Sequence, residues 1–176
     1  MGAGKTSAAR AAAAALGGQA VDSDQAIEER LGTRIDDYFA SHGERAFREA
    51  EEETVASLLE QPPSPVLSLG GGAVASERVR RLLADHTVVL LDVDADTAWR
   101  RAGGRRPLAR DRDRFDALLQ ERAPVYDALA DAVLLDSSRD VVRRAVPALR
   151  ALSSAPAGTR LVWATAASGE YPVYVG

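Results

Sequence analysis

Residues 1–18 read MGAGKTSAARAAAAALGG, and the fold turns on what this stretch is. Gly4, Lys5 and Thr6 match the second half of the loop G-x-x-x-x-G-K-[ST], whose backbone amides cradle phosphate groups. Directly behind them, TSAARAAAAALGG is rich in the strongest helix former and closes on a glycine pair, which predicts a helix over about 6–16. A loop so placed offers an anion the unpaired amides and the positive dipole end of that helix. The first glycine of the pattern, and the strand that ordinarily aims such a loop, would fall before Met1. An upstream strand of about ten residues is therefore expected, with fuller activity when it is present.

The basic residues sharpen the point. Of 22, 21 are arginine and one is lysine, and that lysine is Lys5. A coding bias toward arginine accounts for the scarcity, but a compact ammonium also suits a phosphate-facing position better than a planar guanidinium. The net charge of -4 gives no general attraction for nucleic acid or for an anionic membrane, so neither is expected as a partner. An anionic ligand has to be held by local arginines instead. With no cysteine there is neither a disulfide nor a thiolate metal site, and His42 and His86 are too far apart in sequence to suggest zinc. No apolar run approaches the roughly 18 residues that span a bilayer, and a cytoplasmic location is expected.

Outward from the loop, apolar strand candidates alternate with helical segments. QAV leads into DSD at 22–24, and SDQAIEERLG carries a cap, helical spacing and a glycine stop. GERAFREAEEETVASLLEQ reads as a long amphipathic helix with Phe47, Val55, Leu58 and Leu59 facing inward, ended by PPSP. VLSL runs into Gly70, Gly71 and Gly72; SERVRRLLAD is helical; HTVVLLDVD is the clearest buried strand of the chain. Helices are predicted at ADTAWRRAGG, around DALLQERAPVYDALAD and at RDVVRRAVPALRAL, with a strand at AVLLDS between the last two. This alternation predicts an α/β fold with a parallel sheet covered by helices on both faces. Residues 1–152 form that domain, 153–159 a linker, and 160–176 a β-like tail outside the alternating pattern.

Several constellations carry chemistry. Thr6 places a hydroxyl where Mg²⁺ would need a ligand if phosphates are bound. Asp22 and Asp24 follow a strand, at the carboxyl edge where open sheets bind ligands, although Asp22 or Ser23 also reads as a simple helix cap. Arg48 among glutamates fits an exposed helix-surface ion pair as well as it fits a ligand site. Three glycines at 70–72 exceed the needs of a turn and allow a ligand or another chain segment to approach the backbone closely. Between two helices, Arg100, Arg101, Gly103, Gly104, Arg105 and Arg106 join flexibility to positive charge, either as a lid or as an exposed charge run. Arg122 precedes Pro124 on a helix, a break that serves packing or aims the arginine at a ligand.

Taken in order, MGAGKT, DSDQAIEE, GERAFREAE, LGGGAV, RRPL and ERAPVYDALAD resemble the shikimate kinases from Met1 to about Leu152. The resemblance implies a P-loop kinase fold whose central strand is the one expected upstream. It also implies transfer of the γ-phosphoryl group of ATP to the 3-hydroxyl of shikimate, with Mg²⁺. On the nucleotide side it points to Gly2, Ala3, Gly4, Lys5, Thr6 and Ser7, with Arg101, Arg106 and, more weakly, Arg139. Thr6 and Asp22 are the implied metal-side residues, and Lys5, Asp24 and Arg106 the implied catalytic ones. Asp24, Arg48, Gly70, Gly71, Gly72 and Arg122 would hold shikimate, the two arginines on its carboxylate. The lid departs from the family: it reads RRPLA, without the further leucine, and the segment after it is short.

The tail SGEYPVYVG resembles the opening of 3-dehydroquinate synthase, which implies a covalent fusion of two enzymes of one pathway. The alternative to an active kinase is a non-catalytic phosphate-loop remnant that scaffolds the fused synthase. LVWAT, in the same tail, is a candidate to fill the central strand position.

Overall fold

In a computed structural model, which describes residues 2–102 and 111–176, the chain forms an α/β structure of seven helices and six strands among the described residues. Helix α1 (Lys5–Ala15) starts at the glycine loop and stops where Gly17 takes a left-handed conformation. It is followed by β1 (Ala20–Asp22), α2 (Ser23–Leu31), α3 (Ile35–Glu60, kinked at Gly43) and β2 (Val66–Ser68). A short 3₁₀ turn (Ala73–Ala75) leads to α4 (Glu77–Leu83), β3 (Val89–Leu91), α5 (Ala95–Ala102) and α6 (Arg112–Leu129). The chain closes with β4 (Ala132–Leu134), α7 (Arg139–Leu152) and a hairpin of β5 (Arg160–Ala166) and β6 (Gly169–Val175).

Side-chain caps set four helix starts, of which the sequence reading named the one at Asp22. Asp22 caps α2, Ser76 caps α4, Asp111 caps α6 and Ser138 caps α7, each accepting a first-turn backbone N–H. The strand ends at Asp22, and Asp24 lies in the first turn of α2.

The strands pair as β1–β2 in one sheet and β3–β4–β5–β6 in another, parallel except for the antiparallel β5–β6 hairpin. Helix α1 packs against β1, β2 and α7, so it lies across both sheets. Its alanines make that close approach possible: Ala8 and Ala11 meet Ala132 and Leu134 of β4, Val141 and Val142 of α7, and Leu161 and Trp163 of β5 in one core cluster. The second cluster joins Val55 and Leu59 of α3 to Val79 and Leu83 of α4, with Leu67, Val88 and Leu129 beside them.

Two expectations change. HTVVLLDVD is not the most buried strand: Val89 is 37% exposed, whereas all three residues of β4 are buried. Among the described residues, strand β3 pairs with β4 alone and β2 with β1 alone, so each has a partner on one side. LVWAT does not stand between them, because β5 lies on the far side of β4, with Leu161 opposite Ala132 and Trp163 opposite Leu134.

Candidate active site

The tripeptide Asp22–Ser23–Asp24 joins two halves of a site at the carboxyl edge of β1. On one side is the glycine loop. Gly4 caps α1 with φ +79, a left-handed conformation natural to glycine, and gives the first amides of the helix no side-chain cap of its own. Those amides and the dipole end fit a phosphate group. The Thr6 hydroxyl donates to Asp22 Oδ2 at 2.7 Å, while Asp22 Oδ1 accepts the Asp24 backbone N–H at 3.0 Å. The helix cap and the contact with Thr6 therefore use different oxygens of one carboxylate.

Arg101 and Arg139 flank the loop. Arg101 Nη1 donates to Ser137 Oγ at 2.9 Å, and a Cβ built on Gly4 would stand 3.1 Å from that oxygen and 3.8 Å from Arg101 Nη1. Arg139 Nε donates to Ser7 Oγ at 3.1 Å. Gly2 and Ala3 precede Gly4 in the loop, and Lys5 opens α1. Arg106 lies outside the described residues.

On the other side is the glycine run. Ser23, fully buried, accepts the Gly70 N–H at 2.8 Å, and a Cβ on Gly70 would lie 2.6 Å from Asp24 Oδ1. One on Gly71 would lie 2.9 Å from Tyr126 Oη and 3.9 Å from Arg122 Nη1. The nearest atom to a Cβ on Gly72 belongs to the Arg48 guanidinium. Asp24, Arg48 and Arg122, from three different helices, thus converge on three consecutive glycines, where any side chain would intrude.

Arg48 is held by Glu51. Its Nη1 donates to Glu51 Oε2 at 2.5 Å, with Glu44 more distant at 3.6 Å and the Phe47 ring 5.4 Å from its guanidinium carbon. The sequence reading left Glu51 among solvated glutamates, yet it is only 5% exposed. Its position, four residues from both Phe47 and Val55 and eight from Leu59, was the available signal, because residues at that spacing share a helix face. Ser23, Tyr126 and Ser137 were likewise not named as site residues; the DSD motif around Ser23 and the place of Tyr126 four residues beyond Arg122 were the available signals, and nothing local marks Ser137.

Burial raises the Glu51 carboxyl above its usual 4.5, outweighing the Arg48 hydrogen bond and charge that lower it; Asp24 adds to the rise and Arg122 opposes it. A carboxyl raised on folding contributes stability that is whole below the unfolded value and is lost as pH climbs through the folded one. The stability difference between wild type and Glu51→Gln should therefore decline upward from pH 4.5, as read by urea unfolding at stepped pH. A difference flat across that window would rule the effect out.

A glycine loop and an arginine cluster bridged by one tripeptide, at the carboxyl edge of a parallel α/β sheet, suit a P-loop kinase for a small acidic substrate, and the chain is of that class. The class narrows further. The shikimate kinase family model matches residues 1–150, and the chain belongs to that family. It is 45% identical over 167 residues to the shikimate kinase of Mycobacterium avium, covering 90% of this chain and 94% of that one. The shikimate kinase of Thermobifida fusca is 46% identical over 133 residues, 73% of this chain and 77% of the relative. Among solved structures, shikimate kinase from Acinetobacter baumannii in complex with shikimate matches with TM-score 0.79 at 29% identity, covering 86% of this chain and 89% of that chain. The activity is ATP-dependent phosphorylation of shikimate, in aromatic biosynthesis.

Proposed function

We propose that the 3-hydroxyl of shikimate attacks the γ-phosphorus of ATP in the cleft between the glycine loop and Gly70–Gly72. The observation that carries this reading is the convergence of Asp24, Arg48 and Arg122 on the glycine run, one tripeptide away from the Thr6–Asp22 contact. Arg48 and Arg122 hold the substrate carboxylate with charge-assisted hydrogen bonds. Asp24 orients the hydroxyl and accepts its proton as the new phosphorus–oxygen bond forms and the bond to the β-phosphate oxygen breaks, releasing ADP. Gly2, Ala3, Gly4 and Ser7 offer the phosphates their backbone groups, Lys5 neutralises the transferring charge, and Arg101 and Arg139 border the nucleotide. The family resemblance assigns Arg106 to the transferring group.

The donor set fits Mg²⁺. Among the described residues no cluster of three or more histidines and carboxylates could hold a metal alone, and magnesium at phosphate sites takes few protein ligands and keeps its waters. Thr6 and Asp22 would hold it, and it would withdraw charge from the phosphate oxygens.

We place catalysis in residues 1–152, with 153–159 as a connector and 160–176 as a hairpin whose first strand, β5, extends the sheet beside β4. Among the described residues no helix is long and apolar enough to cross a membrane; the cytoplasmic location is our proposal from the sequence. Cell fractionation tests that location. Fusion to a 3-dehydroquinate synthase rests on the tail sequence alone, and the mass of the native polypeptide tests it. No observation favours the non-catalytic alternative.

An ADP-release assay dependent on shikimate tests the function. In the same assay Arg122→Ala should raise the shikimate KM by about ten- to a hundredfold, the worth of a charged hydrogen bond, and change kcat less. Unchanged shikimate dependence would count against the carboxylate clamp.

A further inference from the structure

We propose that Tyr126 is a positioning residue for shikimate: its hydroxyl fixes the distance between Arg122 and the backbone of the glycine run. The proposal rests on the reading of Arg122 as a carboxylate clamp. Tyr126 is four residues beyond Arg122 on α6, so both side chains leave the same face of the helix. The Tyr126 Oη–H donates to the Gly71 carbonyl oxygen at 2.8 Å. Both Tyr126 Oη and Arg122 Nη1 lie within 4 Å of where a Cβ on Gly71 would be, so the two groups address one residue of the run.

The helix needs this tie because little else holds the turn that carries Arg122. Of the 18 residues of α6 only Phe115 is fully buried, seven positions before Arg122. Between Arg122 and Tyr126 stands Pro124, which gives no N–H to the preceding turn and crowds its carbonyl. Beyond Tyr126, Leu129 packs at the edge of the second core cluster, and Asp127 accepts from Arg160 Nη2 at 2.6 Å in an exposed ion pair that contributes little to stability. The Tyr126 hydroxyl therefore joins the cationic and backbone parts of the substrate site at the point where the helix is least able to hold Arg122 by itself. Gly71 is matched to it, since a side chain there would displace the phenol.

Calorimetric titration with shikimate, and separately with ADP, tests the assignment on the full chain. Tyr126→Phe keeps the ring and removes one hydrogen bond. Its shikimate Kd should rise about three- to tenfold while its ADP Kd stays within about twofold. Arg122→Ala should weaken shikimate binding more, and adding Tyr126→Phe to it should produce no further loss, because Tyr126 acts through Arg122. The proposal is overturned by an unchanged shikimate Kd in Tyr126→Phe, by equal weakening of both ligands, or by additive losses in the double variant. Wild-type protein that does not bind shikimate, or an Arg122→Ala variant that binds it normally, would overturn the clamp reading itself and this proposal with it. A wild type that binds shikimate through Arg122, beside a Tyr126→Phe variant that binds equally well, would overturn only the proposal.

Discussion

Lys5→Ala should lower kcat by about a thousandfold or more, the scale lost when a preorganised cationic or hydrogen-bonding group is taken from a phosphoryl-transfer site. Lys5 is the only lysine in the chain and opens α1 behind Gly4, where the first-turn amides and the helix dipole already favour a phosphate. The amides can bind the ground-state phosphates without it, so ADP binding should weaken less than turnover. Single-turnover measurement at saturating ATP and shikimate separates the two. Retention of more than a tenth of wild-type kcat would remove Lys5 from the catalytic group. The helix itself should persist, because alanine is the best helix former and Lys5 is not part of either core cluster.

Trp163→Ala should cost about 3–5 kcal/mol, the range for emptying a large aromatic site in a core. Trp163 is 6% exposed in β5, within the cluster that holds α1 against β4 and α7. Its indole Nε1–H donates to Glu170 Oε2 at 3.1 Å, and Arg144 of α7 makes two hydrogen bonds to the same carboxylate, at 3.0 and 2.9 Å. Removing the ring empties the core and takes a partner from the carboxylate at once. Thermal unfolding should show a fall of about 6–20 °C. Tyr171→Ala, on the exposed face of the same hairpin, should be nearly neutral. Equal small effects in both would mean that the hairpin is peripheral to the fold.

Much of this molecule was legible in its sequence because the deciding signals are local. Ser76 before α4, Gly32 after α2 and the alanine run of α1 each act within one helical turn, and the elements begin and end near them. Candidate site residues were legible where aspartate and glycine stood after a strand, at Asp22 and Gly70–Gly72, whereas Arg48 and Arg122, inside helices, were assigned to the site only through the motif resemblance. Three features were not. The exposure of Val89 depends on what pairs with β3, which no local pattern encodes. Glu51 was masked by composition, since five of the seven residues from Arg48 to Thr54 are charged, yet one of them turns inward. The place of β5 beside β4 is a long-range choice between apolar edges, and β-branched and aromatic residues fit many such edges equally well.

The two-sided use of Asp22 bears on how freely this protein can change. One oxygen starts α2 and the other receives Thr6, so two separate selective demands fall on a single codon. Asparagine would satisfy the first, being as good a helix cap, while setting an amide donor against the hydroxyl of Thr6. Serine or threonine could cap but would be too short to serve both. Such a position drifts less than either role would require, and a lineage that relaxed one demand would still be held there by the other.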